Sequence, residues 1–72
     1  MSLFKARIKE CRLNKKLTQA QVASACKIIL RSYQRYESGD REPEIDKLIA
    51  LADYFDVSLD YLVGRSDDPR RH

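Results

Sequence analysis

Residues 17–43 read LTQAQVASACKIILRSYQRYESGDREP, and the fold is decided within them. Thr18 and Gln21 form a capping box: the threonine hydroxyl can accept the Gln21 backbone N–H while the glutamine side chain reaches back to the Thr18 N–H. A helix therefore starts there. Val22, Ala23 and Cys26 follow at i, i+1 and i+4, a narrow apolar face whose small residues let another helix approach closely. A second short helix then turns Tyr33, Tyr36 and Glu37 inward and Arg31, Gln34 and Arg35 outward, and Ser38-Gly39 ends it. The stretch is thus two short helices, joined by a tight connection, over about residues 18–38.

Upstream, Phe4, Ile8 and Cys11 recur at i, i+4 and i+7, which predicts an amphipathic helix from Leu3 to about Lys15. Asn14-Lys15-Lys16 ends it without the glycine that eases a left-handed exit. Downstream, Pro43 closes the loop, and Ile45, Leu48, Ile49, Leu51, Ala52 and Phe55 describe a strongly apolar fourth helix ending near Asp56. Ser58 is a good N-cap for a short fifth helix, Leu59 to Val63, which Gly64 stops. Tyr54, Phe55 and Tyr61 are read as core packing and not as a base-stacking surface. Ser66-Asp67-Asp68-Pro69-Arg70-Arg71-His72 has no apolar residue, so residues 67–72 are expected to be a disordered tail behind a single domain at 1–66.

A chain of 72 residues forms one small domain, since at this size only about 60% of the unfolded surface is buried. There is no run of eighteen apolar residues and no secretory hydrophobic segment, which argues against a membrane partner and for the cytoplasm. The net charge of +3 hides an asymmetry. Residues 1–42 carry ten Lys or Arg against four acids, whereas residues 43–72 carry four against seven. The basic half contains the paired short helices, as expected if that half faces a polyanion; the alternative is a charged surface with no partner.

Enzyme chemistry finds little support. The only histidine is His72 in the tail, and no carboxylate pair, glycine-rich phosphate loop or base-backed nucleophile is present. Cys11 and Cys26 are too few for a zinc site; they read as buried reduced thiols acting as small hydrophobes, with a redox switch as the alternative. No cofactor, metal or small-molecule ligand is implied.

Thr18-Gln19, Ala23, Tyr36-Glu37, Ser38-Gly39 and Arg41-Glu42-Pro43 resemble, in order and spacing, the helix-turn-helix of phage-repressor and Cro-like regulators. Leu48 to Arg65 is similar to the last two helices of the same family, so the resemblance covers residues 4–66. It implies an all-α, compact five-helix, lambda-repressor-like DNA-binding domain. It also implies a sequence-specific regulator, most often a repressor, acting on operator DNA as a homodimer with half-sites about 34 Å apart. Carried over position by position, the resemblance makes Leu30, Arg31, Gln34 and Arg35 base-contacting residues of a helix near 30–38 in the major groove. Lys16, Gln19, Ser32 and Arg41 become phosphate contacts, Arg12 and Glu37 a partly buried ion pair, and Leu59, Leu62 and Val63 the dimer surface.

Two residues depart from the family pattern. Lys27 stands where the turn usually has glycine, and Ile29 where the recognition helix usually has a Ser or Thr cap. Each change costs about 1 kcal/mol. The apolar run Ile28-Ile29-Leu30 keeps a second class open, a protein-interaction module of the same fold, such as an antitoxin or antirepressor. Exposure of all three residues would favour docking; burial of Ile28, with Leu30 and Arg31 lining a basic surface, would favour DNA.

Overall fold

Local sequence signals set the ends of most helices in this chain, and the computed structural model describes residues 3–71. Met1, Ser2 and the lone histidine, His72, lie outside the described residues. The order is α1 (Phe4–Asn14), α2 (Gln19–Ala25), α3 (Leu30–Ser38), α4 (Ile45–Phe55) and α5 (Leu59–Val63), with no strand among the described residues. The fold is all-α, as the resemblance implied.

α1 leaves its last turn through Lys16, left-handed at φ 57°. The reciprocal cap of α2 is formed: the Gln21 N–H donates to Thr18 Oγ1 at 3.1 Å and the Thr18 N–H to Gln21 Oε1 at 2.8 Å. α3 starts at Ile29 with no side-chain cap and ends at Gly39, left-handed at φ 85°. A Cβ on Gly39 would meet only the flexible end of the Lys5 side chain, which can move aside, so it is the left-handed backbone that calls for glycine there. The Tyr61 N–H donates to Ser58 Oγ at 3.0 Å to start α5, and Gly64 ends it.

The five helices bury one core. Phe4 and Ile8 of α1 meet Val22 and Ala23 of α2, Cys26 and Ile28 of the turn after it, Tyr33 and Tyr36 of α3, Leu48, Leu51, Ala52 and Phe55 of α4, and Leu62 of α5. Tyr36 is the hub of an aromatic group, edge-on to both Phe4 and Tyr33 at centroid distances of 6.4 Å. Burial raises the thiol pKa of both cysteines, which keeps them protonated and poorly nucleophilic. Cys26 is buried, while Cys11 is only half-buried.

Three expectations, for Leu62, Tyr54 and Tyr61, are corrected by this packing. Leu62 has no solvent exposure, so it is a core residue and leaves the dimer surface. α5 packs against α1 and α4, and a side chain enclosed between them cannot also face a partner. The apolar stripe of α4 is wider than the core it meets, leaving Ile45 and Ile49 exposed beside the buried Leu48, Leu51, Ala52 and Phe55. Of the three aromatics assigned to the core only Phe55 is buried; Tyr54 is exposed, and Tyr61 is half-buried with the Arg7 guanidinium 4.2 Å above its ring.

The tail is held by polar groups instead of apolar ones. Arg7 Nη1 donates to the carbonyl oxygens of Tyr61 and Ser66, and its Nη2 to Asp67 Oδ1 at 2.8 Å. The Ser58 N–H donates to the Pro69 carbonyl at 2.9 Å. Arg71 reaches the Ala52 carbonyl at 3.3 Å and Asp53 Oδ1 at 2.6 Å, capping the end of α4. Low hydrophobicity gave the expectation of disorder, but the backbone carbonyls of Tyr61 and Ser66 give Arg7 its acceptors and that of Ala52 gives Arg71 one. Among the described residues no helix is long and apolar enough to cross a membrane.

Candidate nucleic-acid interface

Residues 26–29 make the turn between α2 and α3. The Ile28 N–H donates to the Ala23 carbonyl at 2.8 Å, which draws the chain back over the end of α2 and seats Ile28 in the core, 6% exposed. Lys27 is left-handed at φ 56°, the conformation that glycine would adopt without strain. Its carbonyl accepts a hydrogen bond from Lys47 Nζ at 3.1 Å, so a side chain of α4 helps hold the turn. Ile29 projects outward, 77% exposed.

From this turn α3 emerges with Tyr33 and Tyr36 buried and Leu30, Arg31, Gln34 and Arg35 all exposed. On a helix of 3.6 residues per turn these four share one broad face, opposite the tyrosines. Ser32, half-buried, lies on one margin of that face. Arg41, exposed in the loop after α3, lines the same cavity as Ser32. Lys16 is exposed at the end of α1, close in sequence to the start of α2.

Gln19 is turned toward α3. Its Nε2 donates to Glu37 Oε1 at 3.1 Å, and its Oε1 faces Gln34 Nε2 at 3.5 Å. The side-chain nitrogen assigned to a phosphate is therefore engaged within the motif. The second N–H of that amide is left for another acceptor.

Beneath α3, Arg12 Nε donates to Glu37 Oε2 at 2.7 Å and Nη2 to Oε1 at 3.0 Å, with side-chain exposures of 12% and 5%. Arg12 Nη1 donates to the Leu17 carbonyl at 3.0 Å, so one guanidinium ties α1, the approach to α2 and the end of α3 together. The Tyr33 hydroxyl donates to the same Glu37 carboxylate. Burial opposes ionisation of Glu37, yet hydrogen bonds from Arg12, Tyr33 and Gln19, with the Arg12 charge, outweigh it and hold the pKa below the ordinary carboxylate value. Burial first, and then the bond to Glu37, pushes the Tyr33 phenol well up, while the bond to Glu37 raises Arg12.

The resemblance brought Arg12 and Glu37 together but missed two further partners of Glu37, Tyr33 and Gln19, and the Lys47 bond that holds the turn. Tyr33 could have been found, because i and i+4 share a helix face. Gln19 and Lys47 could not, since their partners lie 18 and 20 residues away.

Residues 8–62 match the helix-turn-helix family. The chain belongs to that family. This helix-turn-helix chain is 40% identical over 67 residues to the HTH-type transcriptional regulator YobD of Bacillus subtilis, an alignment covering 93% of the chain and 60% of YobD. It is 46% identical over 48 residues to the phage CTXphi transcriptional repressor RstR of Vibrio cholerae, covering 67% and 43%. The crystal structure of a transcriptional regulator from Listeria innocua superposes with a TM-score of 0.79 at 36% identity, over 85% of this chain and 57% of that one. The helix-turn-helix chain spans about three fifths of the length of relatives such as YobD.

Proposed function

We propose that this chain binds duplex DNA sequence-specifically and acts as a transcriptional regulator, a repressor of phage type, through binding and not catalysis. The observation that carries the reading is the division of the Ile28-Ile29-Leu30 run: Ile28 is buried, while Leu30 stands beside Arg31, Gln34 and Arg35 on an exposed face. A protruding helix of that kind can enter a major groove about 12 Å wide. Arg31 can donate a fork to guanine O6 and N7, Gln34 can pair with the adenine edge, and Leu30 can meet a thymine methyl. Arg35 reads a base or a phosphate; Lys16, Gln19, Ser32 and Arg41 hold the backbone and set the register. Relatives named as regulators and as a phage repressor support the reading. Operator DNA is the partner, in the cytoplasm at the nucleoid, with no small-molecule ligand.

The protein acts as a homodimer on paired half-sites. With Leu62 in the core, Leu59 and Val63, both half-buried, remain from the expected dimer surface.

The deciding experiment is selection from random duplexes, followed by titration of the recovered sequence at several salt concentrations. A consensus should emerge, and log affinity should fall linearly with log salt. Recovery of no consensus together with affinity indifferent to salt would sink the proposal. Exposure of Ile29 is the one observation favouring a protein-docking module instead, and that module would give this second pattern.

A further inference from the structure

α3 has two margins. Leu30 and Gln34, one turn apart, form the margin that faces α2, where Gln34 Nε2 and Gln19 Oε1 are 3.5 Å apart. Ser32 and Tyr36, also one turn apart, form the other. That second margin borders an open cavity of about 190 Å³ whose walls include Ser32, Tyr36, Lys27, Arg41 and Lys47. Its lining thus holds three cationic side chains and one carboxylate, Glu44. The cations come from three separate places: the turn before α3, the loop after it, and α4. Lys47 uses one N–H on the Lys27 carbonyl, which leaves two ammonium hydrogens for another acceptor.

We propose that this cavity is a binding site for one backbone phosphate of duplex DNA, and that Lys27 and Lys47 are phosphate-binding residues alongside Arg41 and Ser32. The inference rests on the DNA-binding reading above. A helix in a major groove runs between two phosphate backbones. The margin at Gln19 faces one of them, and the cavity on the opposite margin faces the other. The side chain at position 27 then has a use that glycine could not supply: it places a cation at the mouth of the cavity. Lys47, by holding the Lys27 carbonyl, fixes the turn from which that cation projects. The site adds affinity on every sequence and no base discrimination.

Salt titration on random-sequence duplex DNA tests the proposal. Lys27→Gly suits the left-handed backbone and Lys47→Gln retains an amide donor, so both remove charge with little demand on the fold. Combined with Arg41→Ala, which removes the third cation, they should lower the slope of log affinity against log salt by about 0.9 per bound protomer, the value for one phosphate, whereas Arg41→Ala alone should lower it by less. Lys47→Arg, which keeps the charge, should retain the wild-type slope. A triple variant with the wild-type slope, or Arg41→Ala alone giving the whole drop, overturns the site, and a drop of about 1.8 overturns the sharing of one phosphate by the three cations. Wild-type protein insensitive to salt is a different result, because it removes the DNA-binding reading itself. Duplexes of a selected sequence carrying single neutral methylphosphonates repeat the test on wild-type protein alone. Each strand should show a sensitive position beside α3; sensitivity confined to one strand overturns the cavity site.

Discussion

Glu37 at the end of α3 accepts two hydrogen bonds from the guanidinium of Arg12 in α1, at 2.7 and 3.0 Å. The same carboxylate also receives the Tyr33 hydroxyl and the Gln19 amide, so its oxygens are filled by donors from three helices. Removing either charge strands the other. Arg12→Ala or Glu37→Ala should therefore cost about 3 to 5 kcal/mol, read from urea unfolding midpoints. Arg12→Met with Glu37→Leu should recover much of that loss, because neither charge is then buried alone. Single variants as stable as the wild type would mean the pair is solvated in solution.

Stability should fall in acid for the same reason. The folded pKa of Glu37 lies below its ordinary value of 4.5, so its contribution is fully present above that value and is lost as pH falls through the folded pKa. Tyr33 acts with the opposite sign. Its pKa is raised from 10.0, so its contribution is present below that value and lost as pH rises through the folded pKa. Thermal midpoints against pH should show both declines, and Glu37→Gln should flatten the acid limb. An unchanged acid limb in that variant would place its origin elsewhere.

The turn before α3 can be improved. Lys27→Gly should relieve the left-handed strain, offset in part by the greater freedom of glycine in the unfolded chain, for a gain of up to about 1 kcal/mol. Ile29→Thr adds a hydroxyl acceptor at the uncapped start of α3 and should stabilise by about 1 kcal/mol. Both should raise the thermal midpoint. A lower midpoint for Ile29→Thr would show that the isoleucine contributes packing that outweighs a cap.

Gln34 and Arg31 separate base reading from backbone binding. Replacing either by Ala should cost about 1 to 3 kcal/mol on a selected duplex, with Gln34→Ala leaving random DNA nearly unchanged. Arg41→Ala should weaken both DNAs alike. Equal losses on both DNAs for Gln34→Ala would make it a positioning residue.

What the residues determined by themselves was every feature closed within a few positions. The Thr18–Gln21 box, the Ser58 cap, the glycines at 39 and 64, and the outward set Arg31, Gln34 and Arg35 follow from spacing on a helix, because i, i+3 and i+4 meet wherever that helix forms. The break with the family at Lys27 and Ile29 was also visible, and the structure has a left-handed lysine and an uncapped helix start there. Tertiary packing decided the rest. Whether an apolar residue is covered depends on which neighbour reaches it, so Leu62 is enclosed while Ile45 and Ile49, equally apolar, are left outside. The Gln19 amide on Glu37, the Lys47 ammonium on the turn carbonyl, and the arginines that hold the tail join groups far apart in sequence. Such bonds depend on where whole helices come to rest, and local spacing carries no record of that.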